Sequence, residues 1–305
     1  MVAADDPIQA ALEAFQKAQG QNNIEQSEAA AVTVLGLAAK WIERNPSREF
    51  AASERAYECE ACGDWAGAES HHREGLALAE AAGNAGLISR GWLRLSRFFQ
   101  LIGDLGQAQQ AARTAADAAR PANVAAVKVM AQENLARCLL RSGDRQGALE
   151  AASEAVRLVG ADPMNDSLRA GALVMRASSH LSFGDVDAAE KELECARRLL
   201  LEREISPLFA GSQARAAAWW EATAQVRALR GDFAGAAGAW GSAVEYARHV
   251  AALEHVAGPY TLAALAHTLR GWSKALATLG KNEAAEVAET EAARIRVELG
   301  IAGQP

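Results

Sequence analysis

No stretch of this 305-residue chain reaches the roughly 18 consecutive apolar residues that a bilayer crossing needs. The longest candidate, Ala29 to Ala39, runs into Lys40 and Trp41. The segment Met1 to Gln9 carries Asp5 and Asp6 where a secretory leader has lysines, so a cytoplasmic protein is expected. Four cysteines are too few for a disulfide framework in a chain this long. The phosphate-binding Gly-x-x-x-x-Gly-Lys loop, the dinucleotide glycine fingerprint, the Gly-x-Ser-x-Gly elbow and the His-Glu-x-x-His pair are all missing. A non-enzymatic protein without a cofactor is expected. A net charge of −7 lacks the basic balance that nucleic acid or an anionic membrane attracts.

What is present is a phrase that returns: Gly-Asp-x-x-x-Ala. It reads Gly63-Asp64 to Ala68, Gly103-Asp104 to Ala108, Gly143-Asp144 to Ala148, Gly184-Asp185 to Ala189 and Gly231-Asp232 to Ala236. A last copy, Gly280-Lys281 to Ala285, loses the aspartate. The turn glycines stand 40, 40, 41, 47 and 49 residues apart, the signature of a repeat array. Glycine closes one helix in the left-handed conformation, and aspartate caps the next. The alanine one turn later lets two antiparallel helices approach closely. Each phrase therefore predicts the tight turn of a helical hairpin.

First helices are expected over Ser47–Cys62, Asn84–Ile102, Ala122–Ser142, Asp166–Phe183, Pro207–Arg230 and Pro259–Leu279. Second helices are expected to end near Ala82, Ala119, Leu158, Arg203, Ala252 and Leu299. Pro46, Pro121, Pro163, Pro207 and Pro259 fall at the hand-overs, where a missing N–H is tolerated. Residues 1–46 read as a degenerate or capping hairpin, with Asp6-Pro7 as a helix start, 47–299 as six regular hairpins and 300–305 as a disordered tail.

Three offsets from the turn glycine hold small residues in every hairpin. Seven residues before it stand Ala56, Ser96, Ala136, Ala177, Ala224 and Ser273. Five after it stand Ala68, Ala108, Ala148, Ala189, Ala236 and Ala285, and twelve after it Gly75, Ala115, Ala155, Ala196, Ala243 and Ala292. Trp92, Leu95, Ser96 and Phe99 follow a W-x-x-L-G-x-x-Y run, with serine for glycine. This pattern resembles the tetratricopeptide repeat, in a long-period variant, since that family's usual period is about 34 residues. Similar long arrays occur in bacterial signalling and transcription regulators and in kinesin light chain. The resemblance covers about Ser47 to Leu299 and implies an all-α, right-handed superhelical solenoid of about seven hairpins. It also implies that first helices line a concave groove holding a protein segment.

Charge follows that division. The first helices from Asn84 onward carry thirteen bases against three acids, in a protein that is acidic as a whole. On the groove-facing offsets that the resemblance implies stand Arg90, Arg94, Arg97, Gln100, Asn134, Arg137, Arg141, Gln225, His267, Arg270 and Lys274. Guanidinium forks suit carboxylates and phosphates. The expected partner is an acidic peptide or protein segment, a carboxylate or another anionic ligand; the plain alternative is a solvated face balancing acidic neighbours. An adaptor holding a protein segment and a sensor responding to a small anion or signal peptide both fit.

Cys59-x-x-Cys62 with His71-His72 has the look of a metal set, but Cys59 shares a column with Phe99 and Leu139, and His72 one with Ala112 and Trp240. Packing is the reading for both. Trp219, beside Trp220, is expected to face outward as a candidate contact. The last helix, with Ala284, Val287, Ala288, Ala292, Ile295 and Leu299, suggests an uncovered apolar side and a monomer or homodimer.

Overall fold

The six turns set everything else. The computed structural model describes residues 48–160, 165–201, 210–253 and 258–301, with a few isolated positions before residue 48. Gly63, Gly103, Gly143, Gly184, Gly231 and Gly280 all take φ between 71° and 83°. In five of the turns the glycine N–H bonds the carbonyl three residues back, and the following N–H reaches five back, as in Asp144 N–H to the Leu139 carbonyl. This is the Schellman closure. The aspartate then turns its carboxylate onto the next helix: Asp64, Asp104, Asp144, Asp185 and Asp232 each accept from the N–H three residues on, at 2.8–3.0 Å. One residue pair thus ends one helix and starts another.

Among the described residues there are twelve helices and no strand. They are α1 (Arg48–Ala61), α2 (Trp65–Ala81), α3 (Ala85–Leu101), α4 (Leu105–Ala119), α5 (Ala125–Ser142) and α6 (Arg145–Val159). Then come α7 (Asp166–Phe183), α8 (Val186–Leu201), α9 (Ala210–Leu229), α10 (Phe233–Ala252), α11 (Pro259–Thr278) and α12 (Asn282–Glu298). Bounds agree with the sequence reading to within about a turn. The largest described difference is α5, which starts at Ala125 because Pro121 and the Ala122 N–H, bonded to the Ala119 carbonyl, complete a turn first. The capping hairpin expected over 1–46 lies outside the described residues apart from isolated positions. Of the tail, Gly300 and Ile301 are described, and Ile301 is buried in the core.

Odd and even helices pair within each hairpin, and each hairpin packs on the next. The three small-residue columns are the contact surfaces. Ala56, Ser96, Ala136, Ala177 and Ala224 are fully buried, as are Ala68, Ala108, Ala148 and Ala189 in the second column. Ala115, Ala155, Ala196, Ala243 and Ala292 are likewise at zero exposure in the third. The two serines of the first column serve alike: Ser96 Oγ donates to the Ala108 carbonyl at 2.9 Å and Ser273 Oγ to the Ala285 carbonyl at 2.8 Å. A hydroxyl is tolerated there because the partner carbonyl twelve residues on accepts from it.

The odd helices form an inner layer. α3 touches α5, α5 touches α7 and α7 touches α9. Thr268 Oγ1 on α11 donates to Glu221 Oε1 on α9 at 2.5 Å. α11 then contacts both α1 and α3, so the circuit of inner helices closes on itself. The inner layer is thus a closed circuit rather than an open-ended row.

Replacing Asp144 by alanine should lower unfolding stability by about 1 kcal/mol, the usual worth of an N-cap carboxylate. Urea unfolding followed by circular dichroism checks this, with the midpoint expected to fall and the slope to hold.

Candidate functional site

Arg97 sits near the C-terminal end of α3, on the inner layer. Its side chain keeps a little solvent contact yet is enclosed by Tyr57 from α1, Glu133 and Arg137 from α5 and Tyr260 from α11. Burial, and then the like charge of Arg137, weaken its hold on its proton. Among the described residues neither Arg97 nor Arg137 has a carboxylate within the 4.0 Å of an ion pair. Burial and like-charge repulsion thus act on Arg97, while Arg137 beside it stands exposed to solvent.

Beside them lies a second polar node. Gly171 on α7 has no side chain, and a Cβ there would stand 2.7 Å from both Glu133 Oε1 and Arg215 Nε. Glu133 and Arg215 occupy the space that glycine leaves. Burial raises the Glu133 carboxyl above its ordinary range, against the opposing pull of Arg215, Arg137 and Arg97. Its Oε1 is buried without a hydrogen-bond partner. Arg215 Nη1 donates to Ser167 Oγ at 3.3 Å, which holds its guanidinium over α7.

The other expected wall residues divide. Arg94 Nη1 donates to Ser53 Oγ on α1 at 2.6 Å, tying α3 to α1. Asn134 is 2% exposed: its amide nitrogen donates to Ser96 Oγ at 2.7 Å and its oxygen accepts from Gln100 at 3.1 Å. Asn134 is thus a buried structural amide rather than a groove-lining one, because the column serine beside it needed a second partner. Arg141 is exposed, with Nη1 3.5 Å from the Gln100 carbonyl. Arg90, Gln225, His267 and Lys274 are exposed, with no side-chain hydrogen bond or ion pair to Arg97 or Arg137. Arg270 lies 3.6 Å from Glu289.

Part of the basic excess on the inner helices is met from the outer ones. Arg176 pairs with Glu192 at 2.7 Å, and Arg230 bonds Glu190 at 2.7 Å and also Asp187. The acids of α8 explain why a chain can be acidic overall and basic on one layer. Arg97 and Arg137 are among the bases left without an ion pair, as are Arg90, Arg94, Arg141 and Lys274 among the described residues.

The histidines and cysteines do not converge. His71 Nδ1 lies 3.0 Å from Glu74, whereas His72 Nε2 lies 2.7 Å from Glu60 on the opposite side. Among the described residues no cluster of three or more such side chains could hold a metal ion. Trp219 faces inward, contrary to expectation: it is 6% exposed and its Nε1 donates to the Leu193 carbonyl at 2.8 Å. Its ring packs edge-on to Trp220 at 4.7 Å, so the two share one apolar cluster.

Sequence reasoning missed a buried triad. Glu60 Oε1 accepts from His72 Nε2, in the tautomer protonated there, and from the Tyr260 hydroxyl at 2.9 Å. Tyr57 meets both His72 and Tyr260 edge-on. The available signal was that His72 fills a column otherwise held by Ala112 and Trp240, so a buried imidazole there demanded a polar partner.

No protein-family model matches the sequence, and no curated protein sequence is similar to it. Solved structures are similar. A Rap protein complexed with competence and sporulation factor is 13% identical, over 96% of this chain and 98% of that one, with a TM-score of 0.55. The apo form of RapI is 10% identical, over 83% and 99%, with a TM-score of 0.52. A tetratricopeptide repeat protein from Parabacteroides merdae is 14% identical, over 84% and 98%, with a TM-score of 0.43. The fold is tetratricopeptide-like. Within this tetratricopeptide-like solenoid the first helices of the hairpins are the inner layer that carries Arg97 and Arg137. Among the described residues no helix is long and apolar enough to cross a membrane.

Burial, and then Glu60, raise the Tyr260 hydroxyl well above its ordinary range. A raised phenol contributes stability that is complete below pH about 10, the unfolded value, and is lost as pH climbs towards the folded one. Wild type should therefore lose more thermal stability between pH 9 and about 11 than a Tyr260→Phe variant, which has no phenol to ionise. Parallel losses in the two proteins would remove Tyr260 from the account.

Proposed function

We propose that this chain is a non-enzymatic protein-binding scaffold that holds an acidic or carboxylate-bearing segment against Arg97 and Arg137 inside its inner helical layer. The observation that carries this reading is Arg97, largely desolvated beside the like charge of exposed Arg137, with no ion-paired carboxylate for either among the described residues. A desolvated guanidinium beside a like charge costs free energy until an anion joins it, so the site gains most from a partner that brings carboxylates. Arg215, Arg141 and Arg94 extend the positive wall on either side; Gln100, Gln225, His267, Arg270, Lys274 and Arg90 belong to its periphery. No constellation of nucleophile, base and oxyanion donors accompanies these groups, which favours binding over catalysis.

The likeness to a Rap protein solved in complex with competence and sporulation factor supports a bound partner as the purpose of such an interior. The net charge of −7 speaks against nucleic acid or an anionic membrane as that partner. We place the protein in a bacterial cytoplasm, as a monomer or homodimer. A second reading, a sensor that changes its superhelical pitch when a small anion or signal peptide arrives, is favoured by the contact between α11 and α1. An array whose ends touch has two distinct states, touching and parted.

A display library of twelve-residue peptides tests the proposal. Wild type should enrich peptides rich in aspartate and glutamate. The Arg97→Gln, Arg137→Gln double variant should bind them about a hundredfold more weakly, as loss of charge-assisted bonds implies, while melting no lower than wild type. Equal enrichment of neutral or basic peptides, or undiminished affinity in the double variant, would contradict it.

A further inference from the structure

Glu60, His72 and Tyr260 come from α1, α2 and α11, and the Tyr260–Glu60 bond joins positions 200 residues apart. Both Glu60 and His72 side chains have zero exposure. Around the triad the seam between the two ends of the array is apolar. Trp65 and Leu101 pack in one cluster with Leu265, Leu269 and Ile301, and Gly300 lies so close to Trp65 that a Cβ would meet its ring at 3.9 Å. Tyr57 stands across from Tyr260 with ring centres 6.5 Å apart, and Phe98 lies 5.7 Å from His72.

A purely apolar seam would hold the ends together more firmly. This seam instead buries a carboxyl and an imidazole, and it leaves Glu60 Oε2 and His72 Nδ1 buried without a hydrogen-bond partner. Each such atom gives up its hydration and gains nothing in return, so it lowers the advantage of the closed state over the open one. The charged and titratable groups that face this point are Tyr57, Glu60, His72, Tyr260 and Arg97. Arg97 is also the centre of the proposed binding interior. The lock and the binding cleft thus share a wall.

We infer that the Glu60–His72–Tyr260 contact is a lock that closes the ring of inner helices, and that its release is the step by which a ligand already touching exposed Arg137 reaches Arg97. The second half of this statement rests on the proposed function; the first does not. When the lock parts, α11 and α12 move away from α1 as one unit, because their mutual packing and their contact with α10 are the more extensive. The remaining hairpins keep their neighbours, as a linear array allows.

Hydrogen exchange on the full-length chain without ligand tests the lock. Tyr260→Phe keeps the ring in place and removes only the hydroxyl. Amides of α1, α11 and α12 should exchange about tenfold faster than in wild type, the shift expected when one hydrogen bond to a buried carboxylate is lost, while those of α5 to α8 hold their rates. A Tyr246→Phe control, on half-buried Tyr246 of α10, should change none of them. Unchanged exchange at α1, α11 and α12 in Tyr260→Phe overturns the lock. So does faster exchange spread evenly through α5 to α8, which would make the bond a common core contact rather than a seam. Stopped-flow mixing with an enriched acidic peptide then tests the gate: association should quicken about tenfold in Tyr260→Phe. An unchanged association rate beside a positive exchange result overturns the gate and leaves the lock. Should no acidic peptide bind wild type, the proposed function fails, and exchange alone decides the lock.

Discussion

Close approach of paired helices at small residues is the constraint from which the rest of the molecule follows. A hairpin of two helices cannot bury its own apolar faces, and it becomes stable only when its neighbours cover them. Alanines at zero exposure in three columns let the helices approach far enough for this to happen. Where the column holds serine, at Ser96 and Ser273, the hydroxyl bonds the carbonyl of the facing helix and costs little. A bulky side chain in any of these columns would push the helices apart and change how far each hairpin rotates against the next. Since small rotations accumulate along the array, they determine whether its ends meet.

Here they do meet, and this brings Tyr260 of the last hairpin against α1 and close to Arg97. Closure explains why Arg97 feels both burial and the charge of a residue on another helix. On an open surface each of these groups would be hydrated, and their mutual effects would be small. Where Arg97 is buried, its charge carries a cost that an anionic partner can remove. The site is therefore a consequence of the curvature rather than of any one motif.

The fold was largely legible in the sequence because its determinants are local. The Gly-Asp turns, the columns of small residues and the prolines at hand-overs each act within a few residues of where they stand, so their meaning does not depend on distant contacts. The site was legible only in part. The basic bias of the inner helices could be counted, and Arg97 and Arg137 could be set on one wall by helical spacing. That Arg176 and Arg230 would be claimed by acids of α8 could not be read, because those pairs depend on how neighbouring hairpins lie. Asn134 looked like a wall residue by offset and is instead held inward by Ser96. Trp219 was placed outward by its neighbour's column and turned inward because its indole found the Leu193 carbonyl. The Glu60–Tyr260 bond spans nearly the whole array and has no local signature.

Closure of the inner circuit is the central claim, and a distance across the seam tests it most directly. Spin labels at exposed Glu58 on α1 and exposed Ala264 on α11, in a chain whose native cysteines have been replaced, would report it by pulsed electron resonance. Helices in contact lie about 8–10 Å apart, so the labels should give one narrow population below about 30 Å. A broad distribution centred well beyond that span would show the ends parted, and both the burial of Arg97 and the lock would fall with it.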